Sequence, residues 1–229
     1  MNLLDIPRLT LQYYFDNYNE YNNDVKLKIL DVFDIENVNE NEKYGIFVTI
    51  EKNGKLRGCI GTFDLTSNLG RTIADKTLDS AFNDSRFKPI EKNELDELTY
   101  KVNFLSKSEI IYNDSDKTDI QIYNLIKNDI IVGVHGITIY YQNGSATYLA
   151  SVLIDSFNIT NFTLDNWKII STSLREKTNG KGNIIKIERY KCQEFLENNK
   201  LLLEEQSYDK LLAIFLLGIS WLSIIKINN

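Results

Sequence analysis

The sequence predicts an α+β fold in which a hairpin–helix–strand arrangement occurs twice. Three observations predict it. Two β-rich runs are each interrupted by Asn-Gly, at Asn53-Gly54 and at Asn143-Gly144. Each run is followed by a stretch with apolar residues at helical spacing. Each helical stretch leads to an alternating segment, residues 98–105 and 183–190. The order fits an internal duplication, and equally a local arrangement common to α+β domains.

The elements follow in order. Residues 3–34 suit two helix faces, one with Leu9, Tyr13, Tyr14 and Phe15, the other with Val25, Ile29, Val32 and Phe33. Residues 36–43 hold one apolar residue and read as a loop. Residues 45–61 form a hairpin around Asn53-Gly54, because Asn-Gly supplies the two positive-φ positions of a type I′ turn. Ile73, Ala74, Leu78, Ala81 and Phe82 mark a helix over 69–82, with Pro89 as a stop after it. Residues 98–105 alternate as a strand, residues 112–119 form a polar loop, and 120–126 suit a short helix. The second hairpin lies in 132–150. A helical region with Trp167, Ile170 and Leu174 on one face ends at Gly180 and Gly182.

Composition excludes several function classes. The chain has 229 residues, which fits one domain plus a terminal extension: 1–197 and 198–229. Aromatic residues at 11% supply a core, so disorder of the whole chain is excluded. A net charge of -6 argues against a nucleic-acid partner held by phosphate contacts. One His and two Cys cannot build a zinc finger or a His-rich metal site, and no cofactor motif is present. The chain holds 26 Asn, 29 Ile and 20 Lys against 5 Ala and 6 Arg, a bias that points to an AT-rich genome. Five Asn-x-Ser/Thr matches therefore read as chance. Asp5 and Arg8 interrupt any signal-like apolar run, so an intracellular compartment, cytoplasmic or nuclear, is expected. A Cys59–Cys192 disulfide is not expected there.

The stretch that carries chemistry is Leu56-Arg57-Gly58-Cys59-Ile60-Gly61. On a regular strand Arg57 and Cys59 share a face. A guanidinium beside a thiol favours the nucleophilic thiolate. Gly58 and Gly61 leave room for close approach of backbone or substrate. The alternative is a small buried Cys with Arg57 turned to a carboxylate. Asp84 and Arg86, two apart after the helix, form either an anion or substrate site or a helix-end ion pair. His135 is the one imidazole and the natural general acid or base, unless it is structural.

The stretches FVTI…LRGCIGTF, TLDSAFNDSRFKPI, VGVHGITI, ATYLASV and IERYKCQEF resemble the AMMECR-domain family, whose signature is the LRGCIG hexapeptide. The resemblance runs from about Leu9 to Glu197. GTF after the hexapeptide and DSRF resemble the eukaryotic-type members. Leu149-Ala150 stands where the family usually has Leu-Pro. The resemblance implies an α+β fold of two similar β-α-β repeats forming one curved, mostly antiparallel sheet flanked by helices. It names no reaction, although genomic association with Memo-type and radical SAM proteins suggests a modification or redox pathway.

Two functions stand beside each other. One is an enzyme modifying a small molecule or peptide, with Cys59 as nucleophile, Arg57 lowering its pKa and His135 as acid or base. Asp84, Arg86, Gly58 and Gly61 would then bind substrate. The other is a non-catalytic binding or scaffold module whose same cleft recognises a small molecule or a partner protein. Beyond the resemblance, Leu211–Ile225 is an uncharged run of 15 residues. It reads as a short membrane tail anchor, a packed helix or a gene-model artefact, since a span needs about 20 apolar residues.

Overall fold

A computed structural model describes residues 3–34, 43–178 and 182–197 of the chain. The expected loop at 36–43 (Lys43 apart), Gly180, the extension 198–229 and its apolar run lie outside the described residues. The fold is of the α+β class: helices flank antiparallel strands. The chain forms two compact units. One gathers the described residues up to Phe104 together with the described residues from Glu194 on, and the other holds the described residues of Leu105–Gln193.

In the first unit, α1 (Ile6–Asn17) and α2 (Asn23–Val32) are short helices. The Asn22 side chain accepts from Val25 N–H and caps α2. The buried face of α1 is Ile6, Leu11 and Tyr14, and that of α2 is Ile29 and Leu30. Leu9 and Val32, expected inside, are exposed because the buried stripe is rotated from the predicted one. Next come β1 (Tyr44–Lys52), β2 (Lys55–Thr66) and α3 (Leu69–Phe82), then β3 (Leu98–Leu105). α3 is capped by Asn68, whose side chain accepts from Arg71 N–H. It packs on β1 and β2 and in turn receives α1 and α2. β3 alternates as predicted, with Leu98, Tyr100, Val102 and Phe104 in the core. Strand order here is β2-β1-β3, and β2 is the edge strand.

The second unit holds β4 (Glu109–Asn113), α4 (Asp119–Ile126), β5 (His135–Tyr141) and β6 (Gly144–Tyr148). They are followed by α5 (Ala150–Asp155), α6 (Leu164–Lys177) and β7 (Ile184–Leu196). β4 and β5 both pair with β7, and β6 pairs with β5. Trp167, Ile170 and Leu174 are fully buried on α6, as their spacing predicts. The Trp167 indole donates to Asp119 O at 3.0 Å. The order β1-β2-α3-β3 is matched by β5-β6-α5-α6-β7, so the hairpin–helix–strand arrangement is present in both units. Among the described residues no helix is long and apolar enough to cross a membrane.

Candidate functional site

The β1–β2 hairpin builds the site. Its two-residue turn is Asn53-Gly54, with φ of 52° and 72°, which matches a type I′ turn. Lys52 pairs with Lys55 and Glu51 with Leu56, but Ile50 pairs with Gly58. Arg57 is therefore the extra residue of a β-bulge. The bulge breaks the alternation that would have put Arg57 and Cys59 on one face. Arg57 turns instead to Glu94, with Nη2 and Nε donating to its carboxylate at 2.9 and 3.1 Å. Nη1 donates to Lys88 O at 2.7 Å, and Nη2 also to Pro89 O at 3.2 Å. The Arg57 fork holds the Glu94 carboxyl at about 2, well below the usual carboxylate range. Arg57 is thus an anchor of the Lys88–Glu94 segment, with its Nε, Nη1 and Nη2 all donating there.

Cys59 is half-buried, opposite Thr49 on β1. Its Sγ lies 3.2 Å from Thr49 Oγ1. On the outer edge of β2 its backbone is clamped: Cys59 N–H donates to Asp84 Oδ2 at 2.9 Å, and Arg86 Nη2 donates to Cys59 O at 3.2 Å. Asp84 and Arg86 are joined by a two-pronged pair, Nη2 to Oδ2 at 2.6 Å and Nε to Oδ1 at 2.8 Å. The Arg86 pair holds the Asp84 carboxyl down at about 2. Of the site residues read from the sequence, Cys59, Asp84 and Arg86 converge. Burial pushes the Cys59 thiol up, while its bond with Thr49 and the Arg86 charge pull it down and Asp84 and Glu194 oppose them. The net direction is up, with burial the largest cause.

The two glycines are filled by protein. A Cβ on Gly58 would lie 2.1 Å from Ser80 O, so the α3 backbone rests directly on β2 there. The buried Ser80 hydroxyl accepts from Ile60 N–H and donates to Val48 O, both at 2.8 Å, tying β2 to β1. A Cβ on Gly61 would meet the Phe47 ring at 2.1 Å. Phe47 in turn makes an edge-to-face pair with Phe63, centroids 5.1 Å apart.

His135 belongs to the second unit and Cys59 to the first. Its Nδ1 accepts from Ile131 N–H at 3.0 Å, while the His135 backbone N–H donates to Ile131 O at 2.9 Å. Nδ1 is therefore unprotonated, and burial, then Arg189 and Lys191, depresses its basicity. The imidazole holds the turn that opens β5. Sequence reasoning missed Thr49, Ser80, Phe47 and Phe63. Thr49 and Phe47 were findable, since both occupy the register of FVTI alternate to the buried Val48 and Ile50. Among the described residues no group of three or more His, Cys, Asp or Glu side chains is gathered for a metal ion.

This clamp lies inside the stretch that the AMMECR1 family profile matches, residues 5–195. The chain belongs to the AMMECR1 family. A protein of Caldivirga maquilingensis is 37% identical over 119 residues, 50% of this chain and 51% of its own length. A protein of Methanosarcina barkeri is 34% identical over 98 residues, 43% of this chain and 45% of its own. In a Clostridium acetobutylicum protein, 68 residues match at 40% identity, 29% of this chain but 14% of the relative. The chain thus spans about half or less of the curated relatives it matches. The fold is similar to the crystal structure of an uncharacterised protein from Pyrococcus horikoshii. The TM-score is 0.61 at 20% identity, covering 85% of this chain and 89% of that one.

Proposed function

We propose that this AMMECR1-family chain is a recognition module whose ligand, a small molecule or a peptide, sits on the β1–β2 face around Cys59. The observation that supports it is the setting of the thiol. Cys59 is half-buried beside Thr49, burial pushes its thiol up, and the Arg57 guanidinium two residues before it is spent on Glu94. A neutral thiol next to a threonine hydroxyl is a hydrogen-bonding contact, not a nucleophile at neutral pH. A eukaryotic-type affiliation and a place beside Memo-type or radical SAM chemistry go with this reading, on the sequence resemblance alone.

The experiment is the pH dependence of iodoacetamide alkylation in a Cys192→Ser background. Alkylation with an apparent pKa above the free-thiol value of about 8.5 supports a contact residue. A value below it, with the fold intact, overturns the reading and restores Cys59 as the nucleophile of a modifying enzyme.

A further inference from the structure

The face of β1–β2 turned away from α3 has a chemical pattern that selects a ligand. Thr49 and Cys59 form one cross-strand pair on it, and Phe47 and Gly61 form the next. Residues two apart on a strand point the same way and lie about 7 Å apart. The Phe47–Phe63 aromatic pair therefore begins about one aryl-acid length from the thiol. Phe63 is 44% exposed.

Arg86 supplies the charge. Its side chain is 54% exposed, whereas its partner Asp84 is 3% exposed. The pair thus has its negative end buried and its positive end outward. Nε and Nη2 are occupied by Asp84 and Cys59 O. Nη1 makes no hydrogen bond among the described residues. The two-pronged pair fixes the guanidinium plane before any ligand arrives, which removes part of the ordering cost of binding. The thiol beside it has a proton to donate when Thr49 donates to its sulfur.

We propose that this face binds an organic acid with a flat apolar body, its carboxylate on Arg86 Nη1 and the Cys59 thiol, its body against Phe47 and Phe63. The proposal rests on reading the Cys59 face as a recognition site. The acid arrives free in solution or as the C-terminus of a peptide ending in an aromatic residue, and both present the same carboxylate and ring.

The test uses the full chain, labelled with 15N, titrated with phenylacetate and with phenylacetamide. In parallel, a tetrapeptide ending in phenylalanine is added as free acid and as C-terminal amide. Backbone amides of Cys59, Gly61 and Phe63 are expected to shift with the acids. Both acids should slow iodoacetamide alkylation of Cys59. The amides are expected to bind at least about tenfold more weakly, the loss of one charge-assisted contact. Phe63→Ala removes one ring of the Phe47–Phe63 pair and should weaken phenylacetate, with retained amide shifts in α3 and β3 as the check that the fold is intact. Tighter binding of the peptide than of phenylacetate assigns a C-terminus as the source, and the reverse assigns the free acid. Equal binding of acid and amide, or no shift and no protection with any probe, overturns the proposal. The recognition reading fails by a different result, a depressed Cys59 pKa.

Discussion

Asp84 accepts the backbone N–H of Cys59 at 2.9 Å through a carboxylate that the Arg86 guanidinium holds ionised. The relationship makes the loop after α3 behave as a substitute neighbour for the β2 edge, at the residue that carries the half-buried thiol. Without it, Cys59 N–H and C=O would present an unpaired edge. It also couples the site to acid. Asp84 titrates at about 2 instead of about 3.8. Its stabilisation is complete above about pH 4 and is lost as pH falls through 2, and amounts to roughly 2 kcal/mol. In Asp84→Asn the urea midpoint at pH 7 should fall accordingly. The two proteins should converge near pH 2. A gap that persists unchanged at pH 2 would show that the charge is not what matters.

The two arginines near the hexapeptide separate cleanly by experiment. Arg57 is tied to Glu94, and Arg86 acts on the Cys59 thiol. Arg57→Leu should leave the pH profile of Cys59 alkylation in place. Arg86→Leu should move it upward, because the cation is lost and Asp84 is left without its partner. An upward shift in the Arg57 variant would return that residue to the thiol's surroundings.

Gly58 and Gly54 make a matched pair for substitution. At Gly54 nothing lies within 4 Å of a Cβ, and the difficulty is the positive φ of 72° alone. Gly54→Ala should cost about 1 kcal/mol in denaturant unfolding. At Gly58 a Cβ meets the Ser80 carbonyl oxygen at 2.1 Å, backbone against backbone. Gly58→Ala has to lift α3 off β2, and a loss of about 3 kcal/mol or more is expected. Equal losses at both positions would mean that α3 does not rest on the hexapeptide.

Much of this was legible in the sequence, for physical reasons that differ by residue. Asn53-Gly54 announced its turn because both residues tolerate positive φ. The same dipeptide at Asn143-Gly144 misled by one position: Tyr141 pairs with Gly144, so the turn residues are Gln142-Asn143 and the glycine, with φ of 150°, opens β6. Pattern alone placed β3 because its alternation is local. It did not reveal the bulge at Arg57, which depends on pairing with β1, nor β4, a five-residue strand with exposed Ile110. Cys59 with Asp84 and Arg86 was visible as residue types but not as a clamp. Their contact needs α3 to return the chain to the β2 edge.

His135 gives the last prediction, and its sign is opposite to that of an ion-paired histidine. Its Nδ1 accepts the Ile131 N–H, so the native state requires the neutral ring, and burial with Arg189 and Lys191 lowers its pKa below the ordinary value of about 6.5. A depressed pKa means that the unfolded state takes up the proton first. The stabilisation is present above about pH 6.5 and is lost as pH falls through the lower native value. His135→Asn keeps a side-chain acceptor but cannot be protonated there. The variant should be less stable than the parent at pH 7.5 through lost packing, with the difference shrinking as the pH is lowered from about 6.5. Urea midpoints at half-unit pH steps would measure it. A difference that grows on acidification would mean that the imidazolium, not the imidazole, is the native form, and that His135 faces a carboxylate rather than the Ile131 amide.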